Sequence, residues 1–202
     1  MTRFTPKLAS AASTPPTKSS YWVMPGLLLA GAYPGHPDSE ERERKVRALV
    51  DAGMRTFVNL MEEHETNYAG MPFVPYHDVA AKLCPNVTCV RYPIRDLCTP
   101  TMPQMVSILD AIDNSMMATR PTYVHCWGGV GRTGTVIGCW LLRHGLAEPS
   151  NVLKVLMTLR QQDQERRNRM SPESSEQQSF VKHWPEMDGH EKTGSTSPKN
   201  GF

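Results

Sequence analysis

The segment "TYVHCWGGVGRTGTVIGCWLLRHG" joins a strand-length apolar run to a helix-length one through a turn holding three glycines, and it closes at Gly145. A chain that passes from strand to helix through so tight a turn builds a βα unit rather than an all-helical or all-β fold. The same alternation recurs on both sides of it. "WVMPGLLLAGAYPG" reads as a hairpin, its turns set by proline and glycine. "DSEERERKVRALVDAG" opens on an Asp/Ser cap, carries acids in its first turn and stops at Gly53, so it predicts a helix. "TFVNL" and "TCVRYPI" are short strands, "PQMVSILDAIDNSM" is a helix, and "SNVLKVLMTLRQQ" is a helix with Ser150 as its cap. Strands and helices in alternation predict a single α/β domain with a mainly parallel central sheet flanked by helices. Such sheets bind ligands beyond the C-terminal ends of their strands, which is where the turn after "TYVH" lies.

A chain of 202 residues suffices for one domain with loose ends. Residues 1–19, rich in Ser, Thr, Pro and Ala, bury too little to offset ordering entropy and are expected to be disordered. The domain then spans 20–185, and 186–202 form a flexible tail. The first segment lacks acids as organelle transit peptides do, but its arginine content is low and its amphipathicity poor. A formal net charge of +2 gives no general attraction to nucleic acid, and no apolar run reaches the roughly 20 residues that span a bilayer. Five cysteines with no CxxC pair argue against a disulfide framework or a zinc site, and for a reducing compartment such as the cytoplasm.

Three mechanisms could use the glycine turn. "GVGRTG", from Gly129 to Gly134, matches GxGxxG between a strand and a helix, but no second strand ending in an acid follows it. An ATP-type loop requires a lysine after its last glycine, and Gly131 is followed by Arg132. Nucleophilic phosphoryl transfer accounts for every residue type in the turn. The amides of Trp127, Gly128, Gly129, Val130, Gly131 and Arg132 can converge on phosphate oxygens, at the positive end of the following helix. Arg132 supplies a planar fork for two equatorial oxygens. The same field stabilises a thiolate at Cys126, the nucleophile. Neither metal nor cofactor is expected in such a reaction.

"HCWGGVGRTG" resembles the HCxxGxxRTG signature of cysteine-dependent protein tyrosine and dual-specificity phosphatases, and the likeness extends over roughly residues 20–185. The resemblance implies attack of Cys126 on phosphorus and hydrolysis of the resulting cysteinyl-phosphate. It also implies that Thr133 eases departure of the thiolate and that His125, unless merely a core histidine, helps fix the cysteine. The general acid it implies lies upstream on a loop, and "RYPIRDLCTP" places Asp96 there in the IxDxxxP form of the smaller, dual-specificity-like members. Asp110 and Asp113, within a predicted helix, fit that role less well. Arg95 either steers an anion or is simply solvated. "SPESSEQQSFV" is similar to the loop whose glutamines place the hydrolytic water, with Gln177 on one such position and Glu173 on the other; a plain capped helix is the competing reading.

The resemblance implies a phosphorylated protein or a phosphorylated small molecule as partner. Arg132 is the one cation within the turn, whereas members acting on inositol polyphosphates often carry lysines there, so phosphotyrosine, phosphoserine and phosphothreonine in proteins are favoured. Tyr68 and Tyr76 could flank the substrate but are otherwise ordinary surface or core residues. A phosphoinositide or inositol phosphate phosphatase and a non-catalytic phosphate-binding module are the alternatives. Sulfur transfer or arsenate reduction would need a resolving cysteine, and Cys139 falls two turns down the helix. The pattern leaves the oligomeric state open.

Overall fold

The computed structural model describes residues 7–185; the expected tail, 186–202, lies outside the described residues, as do positions 1–6. Five strands form one sheet in the order β1-β2-β5-β3-β4, comprising β1 Ser20–Met24, β2 Leu28–Gly31, β3 Thr56–Asn59, β4 Thr88–Arg91 and β5 Thr122–His125. The β1–β2 pair is the antiparallel hairpin, and all other pairings are parallel, as the sequence pattern predicts. Around the sheet lie α1 Ser39–Asp51, α2 His77–Leu83, α3 Met102–Met117, α4 Gly131–Arg143, α5 Val152–Leu159 and α6 Ser175–Lys182.

Alternation along the strands divides the core in two. Leu29, Phe57 and Tyr123 meet Val46, Leu49 and Val50 of α1 and Ala80 of α2. Their neighbours Leu28, Ala30, Val58 and Val124 face the opposite way, onto α3, α4, α5 and α6. Every residue of α4 is buried, which makes the helix after the glycine turn the axis of the larger layer. Gly138 lets α6 come close, since a Cβ there would stand 2.7 Å from Val181. Asp110 and Asp113 of α3 brace α4 by pairing with Arg143 at 2.8 and 3.1 Å, well apart from the glycine turn in sequence and role.

Two boundaries differ from the sequence-based expectation, and one helix, α2, was not expected. α4 begins at Gly131, two residues before Thr133, where "TGTVIGCWLLRHG" predicts its start, so Gly131 and Arg132 are also helical. The cap position of α5 is Asn151 rather than Ser150; its Oδ1 accepts from Glu148 N at 3.0 Å. α2 has no side-chain cap and only seven residues, which left it without a signal in the sequence. The described part of the N-terminal segment, 7–19, lies along the domain instead of projecting from it. Ala9 N donates to Val23 O at 3.0 Å, Trp22 Nε1 donates to Thr14 O at 3.2 Å, and Leu8 and Ala9 join the core. Main-chain bonds to a preformed strand order a segment that its own side chains could not.

Candidate active site

The C-terminal ends of β2, β5 and β3 are level, with His125 in register with both Gly31 and Asn59. The loops that leave β2, β3, β4 and β5 therefore gather at one edge of the sheet. Cys126 is the first residue past β5 and is buried. Gly129 has φ +69°, and a Cβ there would stand 2.5 Å from the carbonyl carbon of Gly31, so the turn presses on the end of β2 as only glycine allows. Trp127 O accepts from Tyr33 N at 2.9 Å, and Val130 O accepts from the buried Ser171 Oγ at 2.7 Å. Two carbonyls of the turn are thus engaged by groups outside it. The first α-helical bond, Gly134 N to Val130 O at 3.2 Å, leaves the amides before it without helical acceptors.

Arg132 is fully buried and held from three sides. Its guanidinium meets the Glu65 carboxylate as a fork, with Nη1 to Oε1 and Nη2 to Oε2, the latter at 3.0 Å. Nη1 also donates to Ile94 O at 3.0 Å, and Nη2 lies 3.1 Å from Asp96 Oδ1. Burial opposes the charge, and Glu65, with Cys126 and Asp96, more than restores it, so Arg132 stays cationic. Two buried donors in this region have no protein partner: Arg132 Nε and the Thr133 hydroxyl. Buried donors are seldom left so, and an anion in the cradle is the acceptor that would satisfy both.

The structure thus brings Cys126, Arg132, Thr133 and Asp96 together. Gln177 is fully buried against Gly131, its amide oxygen 3.0 Å from where a Cβ would stand. The Glu173 carboxylate turns instead to Arg169. Tyr68 is 93% exposed, with its ring 4.5 Å from that of Trp127, at the rim. Tyr76 is core: its hydroxyl lies 2.7 Å from His125 Nε2. Glu65 is the partner that sequence reasoning missed. The acids of "MEEHE" follow β3, and loops after parallel strands share one edge, but nothing local links Glu65 to an arginine 67 positions away.

His125 is buried next to Cys126 at the end of β5. Its Nδ1 faces Cys126 O at 3.4 Å, so Nδ1 carries the hydrogen and Tyr76 donates to Nε2. Burial drives its pKa from 6.5 down to about 3, and the imidazole is neutral at all ordinary pH values. Between these two values the unfolded chain takes up a proton that the folded one refuses, so stability falls as pH falls through this window. At full slope the change is that of one proton, on the order of 1 kcal/mol per pH unit. Denaturation of the wild type and of His125→Gln from pH 6.5 downward checks this: the variant should lack that one-proton share of the slope, and equal slopes would contradict it.

Residues 17–181 match a family model described as "PTP-SAK: Swiss Army Knife protein, DSP-PTPase phosphatase domain". A putative tyrosine phosphatase of Invertebrate iridescent virus 3 is 37% identical over 111 residues, which are 53% of this chain and 40% of that protein. The phosphatidylglycerophosphate phosphatase PTPMT1 of Arabidopsis thaliana is 25% identical over 138 residues, 66% of this chain and 35% of that one. The chain therefore spans well under two thirds of the length of these curated relatives. Among solved structures, Tk-PTP in its active form superposes with a TM-score of 0.59 at 26% identity, covering 82% of this chain and 95% of that one. The kinase-associated phosphatase, at 20% identity, covering 76% of this chain and 83% of that one with a TM-score of 0.61, shares the fold. Among the described residues no helix is long and apolar enough to cross a membrane.

Proposed function

The chain belongs to the DSP-PTPase phosphatase family, and from that premise we propose that it hydrolyses phosphomonoesters through a cysteinyl-phosphate, with phosphotyrosine, phosphoserine and phosphothreonine in proteins as its substrates. The observation that carries this reading is the pair of unpartnered buried donors, Arg132 Nε–H and the Thr133 hydroxyl, where the turn that begins at Cys126 enters α4. In the first step the Cys126 thiolate forms a bond to phosphorus as the ester P–O bond breaks. The amides of residues 127–132 and the unpartnered Arg132 Nε–H hold the three equatorial oxygens, while both Nη groups stay on Glu65, Ile94 O and Asp96. Asp96, 3.1 Å from Arg132, gives its proton to the departing oxygen. In the second step the Asp96 carboxylate takes a proton from water as the water oxygen bonds to phosphorus. The P–S bond breaks, and the Thr133 hydroxyl donates to the sulfur that leaves as thiolate. Phosphate departs, and every proton is returned. A reducing setting suits a thiolate nucleophile, and the cytoplasm is the compartment we assign.

Asp96→Ala tests the assignment of the acid. Turnover of phenyl phosphate, whose leaving group needs a proton, is expected to drop by about 10²–10⁴-fold, and that of p-nitrophenyl phosphate far less. An equal loss on both esters would place the acid elsewhere.

One observation favours phosphoinositides or inositol phosphates as the substrate class. Arg166 Nε stands 3.9 Å from where a Cβ would stand at Gly128, so a cation flanks the cradle from outside the turn. Turnover of phosphopeptides against inositol phosphates and phosphoinositides under one condition separates the two readings. A higher kcat/KM on peptides supports the first, and a higher one on the inositol series supports the second.

A further inference from the structure

We infer that the N-terminal cap of α6 is a latch on the acid loop, so that Ser174 and Gln177 act on the reaction through Asp96. This rests on the reading of Asp96 as general acid. Asp96, Leu97 and Cys98 form the tip of the loop between β4 and α3. Leu97 has φ +61°, a left-handed conformation that a branched, non-glycine residue adopts only when something holds it there. Its own side chain is 51% exposed and does not supply that hold. Cys98 N closes the turn around it on Arg95 O at 3.1 Å, and two hydrogen bonds from the cap of α6 tie that turn to the domain. Ser174 Oγ donates to Leu97 O at 3.1 Å, and Gln177 Nε2 donates to Cys98 O at 3.0 Å.

Both donors belong to the capping box of α6. Ser174 Oγ accepts from Gln177 N at 3.1 Å, and Gln177 Oε1 accepts from Ser174 N and Glu173 N, each at 3.2 Å. The oxygen end of the Gln177 amide is thereby fixed on two main-chain donors, which turns the nitrogen end to Cys98. The same buried amide rests against Gly131 at the floor of the cradle. One cap therefore touches both the acid loop and the phosphate loop and fixes the distance between Asp96 and Cys126. The root of the acid loop is held separately, by Ile94 N to Leu60 O at 3.0 Å and Gln104 Nε2 to Pro93 O at 2.7 Å. Loss of the latch releases the tip from α6 and leaves Asp96 held by Arg132 and by the turn's own bond from Cys98 N to Arg95 O. In this conformation the Gln177 amide is engaged at both ends and serves as a positioning group.

Ser174→Asp separates the latch from the cap, because aspartate still accepts from Gln177 N but has no proton for Leu97 O. Ser174→Thr keeps both functions. The melting temperature of Ser174→Asp is expected to match the wild type, with kcat on phenyl phosphate about tenfold lower, the worth of one hydrogen bond. Its kcat on p-nitrophenyl phosphate should change by less than about twofold, since that leaving group draws little on the acid. The descending limb of the phenyl phosphate pH profile should flatten, and Ser174→Thr should restore both rate and profile. Should Ser174→Asp not fold, Ser174→Gly, an accepted N-cap without a side-chain donor, carries the same expectation. An equal loss on both esters, no loss on either, or a threonine variant as slow as the aspartate one would overturn the latch. Asp96→Ala is measured in parallel. If it splits the esters and Ser174→Asp does not, the latch alone fails; if it does not, the acid assignment fails and the latch with it.

Discussion

Replacing Cys126 by serine is expected to lower turnover of every phosphate ester by on the order of 10⁴-fold or more while leaving phosphate binding intact. The hydroxyl is isosteric enough to keep the turn, but nothing takes its proton in the first step, where Asp96 acts as the acid. His125, the adjacent titratable side chain, has its Nε2 occupied by Tyr76 and its Nδ1 turned to Cys126 O. The cradle itself is main chain plus Arg132, none of which the substitution alters. Binding of vanadate or of a phosphopeptide to Cys126→Ser, measured by calorimetry beside steady-state turnover, checks the prediction. Loss of binding along with turnover would mean that the sulfur builds the site rather than reacting in it.

Arg132→Lys should cost about 10²–10³-fold on esters with good and poor leaving groups alike, the scale of losing one preorganised donor to the transition state. An ammonium conserves the charge but not the planar fork, and it cannot span Glu65, Ile94 O and Asp96 as Arg132 does. Glu65, its side chain 13% exposed, would then press a poorly paired carboxylate on the phosphate site. KM should rise together with the fall in kcat, in contrast to Asp96→Ala, where the loss follows the leaving group. A leaving-group-dependent loss in Arg132→Lys would reassign the proton donor to the arginine's surroundings.

The parts of this molecule that were legible in the sequence are those written in contiguous residues. Cys126, the glycines and Arg132 lie within one turn, and their spacing alone suggests the anion cradle proposed above. The order of strands and helices follows from periodicity and caps, as with Asp38, whose side chain accepts from Glu41 N at 2.8 Å and opens α1. The start of α4 was displaced because Gly131 reads locally as turn, yet its φ/ψ joins the helix when the cradle closes. Glu65, Ser171 and Ser174 were not legible. Each acts through a partner far along the chain, and an acid in "MEEHE" or a serine in "SPESS" has many uses until the sheet brings the loops to one edge. Residues 7–19 were misjudged for a related reason: composition measures what a segment can bury by itself, whereas Ala9 and Thr14 are ordered by bonds to β1.

The central claim is that the sulfur of Cys126 bonds directly to phosphorus. The direct measurement is peptide mass spectrometry of protein acid-quenched during turnover of p-nitrophenyl phosphate, with Asp96→Ala alongside to slow hydrolysis of the intermediate. The account predicts one phosphoryl group on Cys126, more abundant in the variant. A phosphoryl group on another side chain, or none while turnover proceeds, would contradict it.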